Sequence, residues 1–169
     1  MRTEELRAQQ APLKQRYRDD PDAAVITLRA DGRLDAEAVS CSVQTGRALV
    51  EAGLHPATGG DATLACSGDM LLQALVACAG VTLRSVAVNR GIPVTGGRVT
   101  AEGDLDFRGT LGVDREAAVG FREIRLRFEL ECDSDEETIA KLLATTERYC
   151  VVLQSITGGV PVSVSRGAA

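Results

Sequence analysis

Apolar positions recur along this chain with two different periods, and the switches between them divide it into elements. Residues 1–18 carry a weak helical stripe of Leu6, Ala8, Leu13 and Tyr17, interrupted by Pro12 and stopped by Asp19-Asp20-Pro21-Asp22. This segment reads as an appendage to the core. Ala23–Arg29 reads as a strand, Asp31-Gly32 as hairpin turn chemistry, and Ala38–Val43 as the next strand. Arg47–Ala52 reads as a third strand or a short turn of helix, and 53–62, with Pro56 and Gly59-Gly60, as a loop.

The period then lengthens. Ser67 to Arg90 is the strongest helix, with Ser67 as its N-cap, Asp69 in the first turn and Gly91 as its stop. Leu71, Leu75, Cys78 and Thr82 share one face, and the run from Met70 to Val88 is apolar nearly all round, the mark of a helix buried on most sides. Val99–Phe107 alternates as a strand, and 109–120 is a glycine-containing loop. Phe121–Cys132 is a long strand with Ile124, Leu126, Phe128, Leu130 and Cys132 on one face and charges on the other. Ser134 to Glu137 forms a capping box for a helix over about 135–148, striped by Ile139, Leu142, Leu143 and Thr146. Cys150 follows, then a short helical turn through Ile156, Gly158-Gly159 and a last strand, Val160–Val164. The order predicts an α+β fold, with antiparallel sheet packed on two main helices. Residues 1–20 form an N-terminal helical extension, and 21–169 form one domain.

Composition narrows the function. The chain has 169 residues, 44% of them hydrophobic, enough for a packed core. Trp is absent and aromatics are scarce, so the core is aliphatic and would gain from burial in a subunit interface. A net charge of −5 and dispersed arginines exclude general affinity for nucleic acid or anionic membrane. No run reaches the roughly 20 apolar residues of a membrane span, and the polar start lacks a signal-peptide core, so the expected location is the cytoplasm.

Five cysteines, at 41, 66, 78, 132 and 150, suit a reducing compartment better than a disulfide scaffold. With no CxxC and His55 as the only histidine, no metal site is expected. His55 lies in a Gly/Pro-containing loop, either on the surface or lining a pocket. Periodicity alone makes Cys78 a core cysteine, because a low-dielectric site raises a thiol pKa. Cys150, near a helix end, is the more accessible thiol, and a helix starting at 151 would lower its pKa. Cys41, Cys66 and Cys132 read as buried structural thiols.

The segment Ser67-Gly-Asp-Met-Leu-Leu-Gln-Ala-Leu-Val-Ala-Cys78, continuing to Arg84, resembles the central helix of the OsmC/organic hydroperoxide resistance family. Glu147-Arg-Tyr-Cys150-Val-Val-Leu and the following Gly158-Gly-Val-Pro-Val162 resemble its second cysteine motif, and Gly112-Val to Phe128 is similar to its loop and strand. The resemblance spans about 23–165 and implies an intertwined homodimer with active sites at the interface. It implies a peroxidatic Cys78, oxidised to a sulfenic acid by a small organic hydroperoxide, and a resolving Cys150 that forms a disulfide with it. A thiol or dithiol reductant would restore the pair, with no cofactor.

Two positions depart from the family pattern. Gly68 stands where the family has a glutamate, with Asp69 beside it as a possible substitute; Val151 replaces the usual proline. The activating arginine falls among Arg29, Arg33 and Arg47, with Arg47 favoured. These departures suit a remote branch and keep a second reading open: a non-catalytic protein of the same fold that binds a small apolar ligand or senses redox state.

Overall fold

The computed structural model describes residues 3–34, 41–43, 52–63 and 65–165, with the side chains of 3–7, 9, 10, 27–34, 41–43 and 52 outside the description. In chain order the elements are α1 (Thr3–Asp19), β1 (Val25–Leu34), β2 (Cys41–Val43), β3 (Ala52–Gly53), β4 (Ala65–Cys66), α2 (Ser67–Arg90), β5 (Val94–Asp106), α3 (Phe107–Thr110), β6 (Phe121–Cys132), α4 (Glu136–Tyr149) and α5 (Val151–Thr157). Short 3₁₀ turns occupy Pro21–Ala24 and Pro56–Thr58. The fold is α+β, as the periodicity predicts.

Four strands form one antiparallel sheet in the order β2-β1-β5-β6, and β3 and β4 make a small parallel pair. Asp31-Gly32 does not turn the chain. It continues β1, paired with Thr100 and Val99, because the long β5 offers a partner that outweighs local turn preference. β5 also begins earlier than expected, at Val94, and Phe107 leaves the strand for α3. Residues 35–40 and 44–51, which include parts of two expected elements, lie outside the described residues.

α2 packs on the sheet through Leu72, Val76, Ala79, Leu83 and Ala87, all fully buried, against Val99, Ala101 and Leu105 of β5. The buried stripe is therefore rotated by one residue from the expected Leu71–Leu75–Cys78–Thr82 face; of those, Leu75 is buried and Leu71 is exposed. An all-apolar helix carries no sequence signal for its phase. Gly103 of β5 is required where it stands, since an added Cβ would lie 2.5 Å from the Phe121 ring. At the far end, Arg84 is buried and its Nη1 donates to the Val94 carbonyl (2.5 Å), joining α2 to the start of β5. Gly91, in the left-handed region at φ 65°, ends the helix as expected. By length and apolarity α2 meets the requirement for crossing a membrane, which the sequence reading denied to every run; here it is the core helix.

Both predicted helix caps shift by one residue. Cys66, not Ser67, holds the cap position of α2 and makes no side-chain cap bond. Asp135, not Ser134, caps α4, its Oδ1 accepting from the Thr138 N–H (2.8 Å). Val160–Val164 forms no strand, and Val160, Val162 and Val164 are exposed.

α1 runs through Pro12 and is more than an appendage. Tyr17 is buried within the core cluster, and its hydroxyl donates to the Ala57 carbonyl (2.8 Å). The Tyr17→Phe variant is expected to lose about 1 kcal/mol of stability and Tyr17→Ala about 3–5 kcal/mol, both measured by urea unfolding. An unchanged midpoint for Tyr17→Ala would return α1 to the status of an appendage.

Candidate functional site

Cys78 and Cys150 meet where α2 passes the joint between α4 and α5. Because the buried stripe of α2 runs through Val76, Ala79 and Leu83, Cys78 falls on the flank of the helix and is half-buried. Cys150 is the single residue between α4 and α5. Its N–H donates to the Thr146 carbonyl (2.8 Å), closing α4, and its carbonyl accepts from the Gln154 N–H (2.9 Å), opening α5. The Gln154 side chain braces the joint by donating from Nε2 to the Glu147 carbonyl (2.9 Å). Cys150 is completely buried, contrary to the expectation that a thiol near a helix end is the more accessible one, because Leu142 and Thr146 turn this end of α4 into the core.

The start of α5 points its free amides at Cys78. Burial pushes the Cys78 thiol pKa up, but hydrogen bonds from the Val152 N–H, the Cys150 thiol, the Thr82 hydroxyl and the Val151 N–H outweigh it, and the net direction is down. Cys150 moves the other way. Burial raises its pKa, the Leu153 N–H opposes this, and proximity to the Cys78 sulfur raises it further, so the net direction is up. The amides of α5 lower the Cys150 pKa as the sequence suggested, but burial and the Cys78 sulfur outweigh them; at Cys78 the same helix start is on the winning side. The result is two free thiols side by side whose pKa values shift in opposite directions.

Asp69 is not brought to this pair. It lies nine residues before Cys78, roughly 13 Å along a helix, and its charge partner is His55. Burial raises the Asp69 pKa while His55 opposes the rise; burial lowers the His55 pKa while Asp69 opposes the fall. His55 accepts at Nδ1 from the Ala57 N–H (3.0 Å) and stacks on Phe107 at 5.0 Å. It lines a pocket of about 400 Å³ together with Cys66 and Gly68. The sequence had left His55 between surface and pocket, and a stacking partner fifty residues away had no local signal.

Arg47 lies outside the described residues. Arg29 and Arg33 occupy β1 positions that pair with Glu102 and Arg98, out of step with the positions that pair with the buried Ala101 and Val99. Cys41 is in β2, and Cys66 and Cys132 are half-buried. A second pocket, about 570 Å³, runs between α2, α5 and β6, lined by Leu71, Leu75, Phe121, Ile124, Leu153 and Ile156 among others. Leu75 stands one turn before Cys78 and Leu153 one turn after Cys150, but neither thiol is among the residues that line the groove.

A family model described as OsmC-like protein matches residues 60–165. Among solved structures, the chain is similar to an OsmC-like hydroperoxide resistance protein from Jannaschia sp. CCS1. The two share 13% identity and a TM-score of 0.58, with 83% of this chain and 91% of that chain covered, a likeness of fold. No curated protein sequence matches the chain significantly.

The opposed shifts have a direct chemical consequence. When the reduced protein is alkylated with iodoacetamide across a pH series and each cysteine peptide is quantified, Cys78 should label with a midpoint below that of an ordinary thiol and Cys150 with one above it. Equal midpoints would remove the asymmetry between the two sulfurs.

Proposed function

The chain belongs to the OsmC-like family, and from that premise we propose that it is a thiol-dependent peroxidase that reduces organic hydroperoxides in defence against oxidative stress. The observation that carries the reading is the proximity of Cys78 and Cys150 at the joint of α4 and α5, with the Cys78 thiol pKa shifted down and that of Cys150 shifted up. A low-pKa, partly accessible thiolate is the form of cysteine that attacks a peroxide.

The chemistry follows in three steps. The Cys78 thiolate attacks the terminal oxygen of the hydroperoxide. An S–O bond forms, the O–O bond breaks, and the departing alkoxide takes a proton to leave as an alcohol. The Cys150 thiol then attacks the sulfenic sulfur, releasing water and forming the Cys78–Cys150 disulfide. A thiol or dithiol reductant returns two electrons and regenerates both thiols. The apolar groove beside Leu75 and Leu153 supports a substrate with a hydrocarbon body over hydrogen peroxide, since it offers contact area to apolar atoms. The same groove supports the second reading, a binding protein for a small apolar molecule in which the thiols take no part.

We propose further that the working unit is a homodimer. α2 leaves Met70, Val81 and Val88 on one stripe, at 37%, 40% and 55% exposure, and the inward face of β6 is only half-covered. An apolar stripe of this kind is well suited to a second copy of the chain.

Titration of the reduced protein with cumene hydroperoxide tests the enzyme reading. Wild type should lose two thiols per chain and Cys78→Ser neither of them. Cys150→Ser should stop at a dimedone-reactive sulfenic acid on Cys78. Thiols that persist through a large excess of peroxide would leave the binding reading in its place. Light scattering at micromolar concentration should give twice the chain mass of 17.8 kDa; a monomer would exclude the dimer.

A further inference from the structure

His55 is the only histidine in the chain, and the thiol pair makes no use of it. It caps the 3₁₀ turn Pro56–Thr58 by accepting at Nδ1 from the Ala57 N–H (3.0 Å). Such a cap needs only a short acceptor, and Asp, Asn, Ser or Thr is the usual choice. Imidazole brings two things more. Its ring stacks on the buried Phe107, with 5.0 Å between centroids and 15° between planes. Its second nitrogen is a donor: with Nδ1 engaged as an acceptor, the proton of the neutral ring sits on Nε2. Among the described residues no acceptor meets Nε2. The turn itself is well anchored. The His55 carbonyl accepts from the Thr58 N–H (2.8 Å), the Thr58 hydroxyl (2.9 Å) and the Gly60 N–H (3.2 Å), and the Ala57 carbonyl accepts from the Tyr17 hydroxyl (2.8 Å). The donor is therefore preorganised, and a ligand would not have to order it.

The pocket that His55 lines, about 400 Å³, has the size of a small-molecule site. Leu71, Leu105, Phe107 and Phe121 give it apolar walls. The Ser67 and Thr110 hydroxyls can turn to donate or accept, so they set no preference, and the Thr58 proton is spent on the His55 carbonyl. The Nε2–H can only donate. A carboxylate ligand would face Asp69, which lies in the first turn of α2 and acts on His55 electrostatically, in a protein of net charge −5. A neutral oxygen acceptor meets no such opposition.

We propose that this pocket is a second binding site, for an uncharged small molecule with an apolar body and a carbonyl oxygen that accepts from His55 Nε2–H. Neither Cys78 nor Cys150 lines it, and it meets the groove beside α5 only at Leu71, Gly120 and Phe121. The inference stands whether or not the thiols reduce peroxides.

Titration followed by proton–nitrogen NMR of the imidazole tests it, because one histidine gives one set of ring signals. Acetophenone at millimolar concentration is the probe. Ethylbenzene, which lacks the carbonyl, and benzoate, which carries a charge, are its counterparts. Acetophenone should shift the Nε2 resonance and bind about tenfold more tightly than ethylbenzene, the margin of one hydrogen bond; benzoate should bind more weakly than acetophenone. His55→Phe keeps a ring to stack on Phe107 and removes Nε2, so it should bind acetophenone and ethylbenzene alike, followed on backbone amides. If that variant folds poorly by circular dichroism, Val119→Trp takes its place. Val119 lines the pocket and is 65% exposed, so a larger side chain there narrows the mouth without entering the core, and acetophenone should lose most of its affinity. An unmoved Nε2 resonance, equal affinities of wild type for acetophenone and ethylbenzene, or full acetophenone affinity in the substituted protein would overturn the proposal. Benzoate binding more tightly than acetophenone would overturn it too, because the ligand would then be an anion held by the start of α2.

Discussion

The site depends on the rotational setting of α2 against the sheet. The helix is apolar on nearly every side, so hydrophobicity alone would accept several settings. The one adopted places Leu72, Val76, Ala79, Leu83 and Ala87 against Val99, Ala101 and Leu105. Cys78 is thereby carried to the flank of the helix. Had the Leu71–Cys78 face turned to the sheet, the same thiol would lie among aliphatic side chains, away from the donors that lower its pKa. Core packing and redox chemistry are therefore two consequences of one choice.

Among the described residues, the groups that draw Cys78 down are dipoles. The start of a short helix, a neighbouring hydroxyl and a second thiol supply partial positive charge from dipoles. This arrangement bears on Gly68 and Asp69, the positions where the chain departs from its family. The carboxylate left in that region, Asp69, interacts with His55 in the first turn of α2, away from Cys78.

What could be read from the sequence follows how local the determining forces are. β6 was predicted with its observed bounds, Phe121–Cys132, because one wet face and one dry face leave an unambiguous alternation. The Gly91 stop and the short helix after Cys150 were legible for the same reason, each resting on chemistry within a few residues. The Asp31-Gly32 turn failed because β5, seventy residues away in sequence, extends the pairing through it. The terminal strand failed because alternating valines state a preference but supply no partner. In the site, both cysteines and their order were visible through family resemblance. Their electrostatic roles were not, since α5 acts on a sulfur seventy residues earlier and burial of Cys150 depends on how α4 meets the core.

The joint at Cys150 also limits how this chain can change in length. One residue ends α4 and begins α5, and both of its backbone groups are committed, one to each helix. An insertion in the last turn of α4 would rotate Cys150 by about 100° around the helix axis, off the side that carries Leu142 and Thr146. The thiol would leave the core, and the amides of α5 would swing away from α2 with it. The loop between α3 and β6, exposed over much of its length, has no such constraint. Insertions and deletions among descendants of this sequence should accumulate there, while the spacing from Leu142 to Leu153 stays constant to the residue.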